Sequence, residues 1–304
     1  MNAQTLSARL ARPPILIAPG VYDALTALIA ERAGFEALYV SGAGIAYTRL
    51  GRPDIGLVGM SEVAQTLALI RDRVGAHLIV DADTGYGNAL NVQRTVRLLE
   101  RAGANAIQIE DQDFPKRCGH LDDKALIAAD EMAGKIRAAV DARASRDTQI
   151  IARTDAVAVE GFDRALARSE LYRQAGADVL FVEAPRQHDE LGRIAQRLGK
   201  AASTSAPLMV NMVEGGKTPM LPAAELESLG FSLVIFPGAI VRTLAKAAED
   251  FYGSLKAHSS TEPFRARMFD FDALNRLIGT PEVLERGKRY AGAGEQPGRT
   301  SGRR

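Results

Sequence analysis

Residues 78–112, LIVDADTGYGNALNVQRTVRLLERAGANAIQIEDQ, decide the fold. The stretch opens on an apolar run, Leu78–Asp83. It continues with helical spacing over Asn91–Ala102, turns at Gly103, and enters a second apolar run, Ala106–Glu110. Neither run alternates apolar with polar. Near-continuous apolar runs of this length are how strands buried on both faces read, as in a parallel sheet. Gly103, in RAGANA, stands just past the helix, where a left-handed residue closes it. The whole is one strand–helix–strand crossover.

The same unit recurs along the chain. Further strands are expected at Ile15–Ala18, Ala37–Ser41, Gln149–Arg153, Val179–Glu183, Leu208–Met212 and Leu233–Phe236. Helical spacing falls at Tyr22–Ala33, Ser61–Arg73, Ala128–Arg143, Phe162–Ala175 and Asp189–Leu198, and the glycine stop returns in QAGADV at 174–179. Eight strands alternating with helices predict a (β/α)8 TIM-type barrel. A doubly wound open sheet is the alternative, but no GxGxxG follows the first strand. After the eighth strand come helical stretches at Ala239–Leu255 and Arg265–Ile278, more than a closed barrel needs. Residues 1–278 are read as one α/β barrel domain and 279–304 as an extension, with Ala291–Arg304 a frayed Gly-rich, basic tail.

Composition narrows the function. In 304 residues, Lys+Arg number 38 and Asp+Glu 37, which leaves no basic excess to set against a phosphate backbone and argues against a nucleic-acid partner. The lone Cys118 excludes a disulfide framework and suits a reducing compartment. No apolar run approaches a membrane span, and Met1–Pro14 has no apolar signal core. The expectation is a cytoplasmic enzyme acting on a small molecule.

In a parallel barrel the chemistry gathers where strands end. Here those ends carry Ser41, Gly42, Ala43 and Gly44; Asp81 and Asp83; Glu110, Asp111 and Gln112; Arg153, Thr154 and Asp155; Glu183; and Asn211 with Glu214. One such end is ordinary helix capping, whereas six on one rim point to an active site. Asp81 and Asp83, two apart on a strand, should share a side. With Glu110 they make an oxygen-only donor set suited to Mg2+ or Mn2+ and not to zinc. The bland alternative is that these acids cap loops and pair with Arg153. The small-residue loop Ser41–Gly44 offers amides to a carboxylate, or is a plain turn. Arg153 and Arg242 are candidate bidentate carboxylate forks. In DFPKRCGH, Lys116, Arg117 and His120 flank Cys118 beside Gly119. Those charges would lower the thiol pKa, leaving both a nucleophile and a general acid open. His77, His188 and His258 read as structural or solvated. The set favours an anionic, dicarboxylate-type substrate, with metal stabilisation of an enolate.

These motifs resemble a known group. YVSGAG at 39–44, VDADTGYGN at 80–88, IEDQ at 109–112, PKRCGH at 115–120, ARTDA at 152–156 and VEGF at 159–162 look like the isocitrate lyase and phosphoenolpyruvate mutase superfamily. The resemblance covers roughly Ile15–Ile278. It implies a barrel whose eighth helix is swapped between subunits, in a dimer-of-dimers homotetramer. It implies Mg2+ (Mn2+ being possible) held by Asp81 and Asp83 with Glu110 nearby, and Ser41, Gly42 and Ala43 on the pyruvate- or glyoxylate-like half of the substrate. Tyr39 would lie beside the substrate oxygen. Arg153, Glu183, Asn211 and the Val213 segment would line the rest, with Asp54 in a neighbouring loop. KRCGH would be a gating loop contributing Lys116, Gly119 and His120, with Cys118 as general acid.

That loop favours carbon–carbon lyases over enzymes of C–P bonds. The implied reaction is retro-aldol cleavage of a 2-hydroxy di- or tricarboxylate. RTDAVAVEGFDRALAR resembles 2-methylisocitrate lyases, but Phe271 falls where their distal-carboxylate arginine stands. VEAPR at 182–186 and NMVEGGKTP at 211–219 are more similar to 2,3-dimethylmalate lyases. A dicarboxylate of the alkylmalate type is therefore favoured. An oxaloacetate decarboxylase or hydrolase, a C–P mutase and a non-catalytic barrel stay open as alternatives.

Overall fold

The computed structural model describes residues 4–121, 123–199 and 206–291. Eight parallel strands close on themselves: β1 Leu16–Val21, β2 Ala37–Val40, β3 His77–Asp81, β4 Ala106–Glu110, β5 Gln149–Thr154, β6 Val179–Val182, β7 Leu208–Asn211 and β8 Leu233–Phe236. Each pairs with the next, and β1 pairs with β8 through Leu16–Leu233 to Pro19–Phe236. The predicted barrel is what forms.

Strand alternation splits the core in two. Leu16, Ala18, Ala37, Tyr39, Ile79, Ala106, Ile151, Val179, Phe181, Met209, Leu233 and Ile235 fill the lumen. Leu6 and Leu10, from a short helix at Leu6–Leu10, join that cluster among residues that begin strands. Their neighbours Leu38, Val40, Leu78, Val80, Ile107, Ile150, Leu180 and Val234 face outward into the larger core shared with the helices. Alternation carried past the apolar layer sets what stands on the rim. Tyr39 is followed inward by Ser41, Ile79 by Asp81, and Ile151 by Arg153 and Asp155. Phe181 is followed by Glu183, and Met209 by Asn211 and Val213.

Several boundaries differ from expectation. β2 stops at Val40, and Ser41–Gly44 is no loop: Ser41 caps a helical turn, Gly42–Ile45, by accepting from Gly44 N at 3.1 Å. β3 stops at Asp81. Asp83 is beyond it with φ +47°, so strand alternation does not carry Asp83 to the side of Asp81. The single stretch expected over Arg265–Ile278 is broken. A tight turn at Glu262–Arg267 gives way to the helix Phe271–Ile278, which Asp270 caps through Ala273 N at 2.6 Å. Helices at Ala223–Leu229 and Thr280–Lys288 lack a matching expectation. The tail from 292 onward lies outside the described residues.

The chain divides into two compact units, Met1–Leu244 and Ala245–Arg304. The first holds the barrel. In the second, Phe264 meets Phe251 edge-on at 5.4 Å and Arg267 covers the Phe264 ring while pairing with Asp250 at 3.2 Å. Among the described residues, no helix is long and apolar enough to cross a membrane.

Candidate active site

The rim residues meet around a cavity of about 60 Å³ at the strand C-terminal ends. Tyr39, Ser41, Ala43, Asp54, Asp81, Cys118, Gly119, His120, Arg153, Glu183, Asn211, Val213 and Arg242 all line it. A larger cavity of about 550 Å³ lies alongside and takes Asp83 and Lys116 as part of its wall.

The floor is a relay of buried polar groups. Tyr39 Oη donates to Gln108 Oε1 at 3.0 Å, and Gln108 Nε2 donates to Asp81 Oδ1 at 3.2 Å. Burial, reinforced by the Asp81 carboxylate, holds the Tyr39 phenol well above its ordinary pKa, so it is a neutral donor. Although Asp83 has left the strand, both carboxylates converge on Gly42. A Cβ there would lie 3.3 Å from Asp81 Oδ2 and 3.6 Å from Asp83 Oδ1. The absent side chain is what lets the turn sit against them.

Glu110 Oε1 is buried without a hydrogen-bond partner, whereas the buried Asp83 Oδ1 and Glu110 Oε2 are met by the Lys116 ammonium and the Arg153 guanidinium. Burial pushes Asp83 up to about 7, with Lys116 opposing and Asp81 and Asp54 assisting. Burial also raises Glu110 well above the carboxylate range, against the pull of Arg153. A buried, desolvated carboxylate oxygen left without a partner, beside the Asp81 and Asp83 carboxylates, fits a hard divalent cation. The three-carboxylate cluster expected from Asp81, Asp83 and Glu110 is, however, not assembled. Among the described residues no group of three His, Cys, Asp or Glu side chains closes on one point. Lys116 Nζ stands 2.6 Å from Asp83 Oδ1 and 2.5 Å from Asp54 Oδ1, and Glu110 Oε2 is 3.1 Å from Arg153 Nη1. The bland alternative is thus realised in part: Glu110 does pair with Arg153.

Arg153 is not an open fork. Its Nε and Nη2 donate to Asp155 at 2.9 and 3.0 Å, and Nη2 is 3.6 Å from Glu183 Oε2. Arg153 organises acids of its own chain, and its carboxylate-binding edge is taken. Arg242, half exposed, is held by Glu214 at 2.7 Å.

The KRCGH loop lies over the cavity. Leu121 N donates to Cys118 O at 2.8 Å, closing a turn at the tip. Its two ends are fastened by lysines, Lys116 as above and Lys124, which donates to Asp155 Oδ1 at 2.9 Å and to the carbonyl of Gly119. His120 Nδ1 accepts from Lys217 N at 3.0 Å, and Nε2 is 3.5 Å from Glu183 Oε1. Burial lowers the His120 pKa against the pull of Glu183, so the ring is neutral.

The flanking charges do not lower the thiol pKa. Burial raises Cys118 above its ordinary 9.0, opposed by the backbone N–H of His120. The Lys116 charge is spent on Asp54 and Asp83. Arg117 is on the exposed side, 3.5 Å from Asp123. A protonated thiol suits a proton donor and not a resting nucleophile.

Sequence reasoning missed Gln108, Tyr47, Phe181 and Lys124. Gln108 was findable: it stands two before Glu110 in an otherwise apolar strand, so it faces the lumen. Tyr47 and Phe181 also line the cavity. Lys124 left no signal.

The sequence profile of the phosphoenolpyruvate phosphomutase family matches residues 6–255. The chain is 42% identical over 277 residues to the 2,3-dimethylmalate lyase of Eubacterium barkeri, covering 91% of this chain and 94% of that one. It is 46% identical over 272 residues to a 2-methylisocitrate lyase of Aeropyrum pernix, covering 90% and 85%. A crystal structure of 2,3-dimethylmalate lyase superposes with a TM-score of 0.87 at 36% identity over 96% of both chains. The chain therefore belongs to the phosphoenolpyruvate mutase/isocitrate lyase superfamily. Within it, the chain stands with the carbon–carbon lyases.

Proposed function

We propose that this chain is a Mg2+- or Mn2+-dependent lyase that cleaves a 2-hydroxy dicarboxylate of the alkylmalate type into a 2-oxo acid and a second carboxylate. One observation carries the reading: Cys118, held protonated by burial, lines the same small cavity as Ser41, Asp81 and Arg153. Asp81 and Asp83 would hold the cation, with Glu110 reaching it through water. When bound, the cation supplies polarisation of the 2-oxygen and stabilisation of enolate charge.

The chain's own residues account for the remainder. The first-turn amides of Gly42 and Ala43 lack intrahelical acceptors and would take the carboxylate of the 2-oxo half. A carboxylate of the cavity wall, Glu183, would accept the hydroxyl proton, that oxygen becoming the carbonyl as the C–C bond breaks, and the proton would later return to the Cys118 thiolate. The bonding pair stays on the departing carbon, and Cys118 Sγ–H protonates it. Tyr39, donating to Gln108, orients the relay under Asp81. The closed loop keeps water from the carbanion.

Carboxylate capacity favours two acids over three. The arginines of the cavity wall are Arg153, whose edge is taken by Asp155, and Arg242. Phe271, which the resemblance places at the position of the distal arginine of 2-methylisocitrate lyases, is strongly exposed in the second unit. That unit also exposes Tyr252, Phe269, Leu284 and Tyr290, which supports a homotetramer with exchanged helices that would cover them.

Release of 2-oxo acid with Mg2+ tests the reading across 2,3-dimethylmalate, other alkylmalates, 2-methylisocitrate, isocitrate and oxaloacetate, each with wild type and Cys118→Ser. Best turnover of an alkylmalate, lost in Cys118→Ser, is expected. A second reading, oxaloacetate hydrolysis or decarboxylation, is favoured by the small cavity. It would show as oxaloacetate turnover surviving without the thiol. No turnover of any member would leave a binding barrel.

A further inference from the structure

Gly119 is the point at which the loop rests on the barrel. A Cβ there would lie 2.5 Å from Arg153 Nη2 and 2.5 Å from Glu183 Cγ, so its backbone lies flat on both side chains. Its carbonyl accepts from Lys124 Nζ. The Lys124 side chain is 1% exposed and the Asp155 side chain is fully buried. Asp155 is in turn fixed from behind. Its N–H donates to Asp111 Oδ1 at 2.9 Å, while Thr154 Oγ1 and Tyr172 Oη each donate to Asp111 Oδ2 at 2.7 Å. A rigid framework outside the cavity thus ends in one carboxylate, which grips Arg153 on one side and Lys124 on the other.

We propose that Lys124 is a positioning residue of the reaction: by tying the Gly119 carbonyl to Asp155, it sets the place of the adjacent Cys118 thiol over the cavity. It does not line the cavity itself. Lys116 fastens the loop before Cys118 and Lys124 fastens it after, but Lys116 holds acids of the proposed cation site. Lys124 touches none of those acids: it ties the loop to Asp155, the carboxylate that also holds Arg153. A rival account makes it only a counter-charge for Asp155. That account predicts lost stability and an unmoved thiol.

The proposal rests on Cys118 acting as the acid, so its test begins with a readout that needs no substrate. Iodoacetamide labelling of Cys118 is followed by mass spectrometry at pH 7.5 in wild type and Lys124→Met, below the melting temperature of each. Released from its tie, the loop exposes the thiol, and labelling is expected to accelerate about tenfold or more. With an active substrate in hand, kcat should fall about a hundredfold while KM moves little, the cost of roughly 1 Å of misplacement. Lys124→Ala with added propylammonium should recover protection of the thiol, which a bulk loss of stability would not permit. Lys124→Gln serves if the Met variant does not fold. Labelling no faster than wild type overturns the proposal whatever the activity. A lack of turnover with accelerated labelling overturns only the substrate assignment.

Discussion

Gly119→Ala isolates geometry from everything else in the site. Gly119 is not among the positive-φ residues, so alanine is allowed by the backbone and only the contact matters. The added methyl would lie 2.5 Å from both Arg153 Nη2 and Glu183 Cγ and 2.8 Å from Glu183 Cδ. Relaxed contacts lie near 3.5 Å or beyond, so something must move by about 1 Å. Arg153 cannot: Asp155 holds it at two points. Glu183 cannot: its oxygens accept from Ala184 N at 2.8 Å and Asn211 Nδ2 at 3.1 Å. The loop yields, and Cys118 rises with it. A displacement of that size costs about a hundredfold in rate, or about 2.7 kcal/mol of transition-state stabilisation. Little stability is lost, since the strain falls on a surface-covering loop. Coupled-dehydrogenase kinetics at saturating substrate, beside thermal melts, read both quantities. A kcat within about threefold of wild type would refute the reasoning, as would a melting temperature that collapses with the rate.

Further expectations follow from the same contacts. Burial alone would raise Asp155, but Arg153 and Lys124 outweigh it and hold the carboxyl at about 2, below its ordinary 3.8. A lowered carboxylate stabilises the fold above its unfolded pKa and loses that contribution as pH falls through the folded one. Asp155 should therefore contribute on the order of 2 kcal/mol above pH 4 that disappears toward pH 2. Acid unfolding of Asp155→Asn should lack that part of the slope. The Cys118 thiol, pushed above 9.0 by burial, should add no titration to kcat through neutral pH and the loss of its proton should cut the rate only on the far alkaline side, and iodoacetamide labelling should stay slow until then. A labelling profile centred near pH 7 would contradict this. Chelation should abolish turnover and Mg2+ restore it, while Asp81→Asn and Asp83→Asn should each weaken Mn2+ binding measured by electron paramagnetic resonance. Arg242→Gln should raise KM about tenfold with a smaller change in kcat, the mark of uniform binding lost. An unchanged KM would remove Arg242 from the substrate site.

Fold and rim were legible because both follow from a period of two. Apolar runs with glycine stops locate the strands, and alternation past the apolar layer lines up Tyr39 with Ser41, Arg153 with Asp155 and Phe181 with Glu183. Gln108 was readable by the same rule. Alternation fails where the chain leaves the strand, so Asp83 reaches its neighbour through a left-handed turn at φ +47° and not through register. Charge arithmetic fails for Cys118, because nearness in sequence says nothing about which acid neutralises Lys116. Lys124 and the contact beneath Gly119 depend on how a loop folds back over residues about 30 to 60 positions away, and no local pattern encodes that.

The loop between β4 and the helix Ala129–Ala142 brings Cys118, whereas Asn211, Val213 and Arg242 come from the chain at and after β7 and β8. On the proposed roles, delivery of the proton and choice of substrate would fall to separate segments of the sequence. Changes around β7 and β8 would retune which acid is admitted while the thiol stays in register, provided the Lys217 N–H that holds His120 is kept. A barrel divided in this way could diversify its substrates by small local substitutions without rebuilding the proposed protonation step.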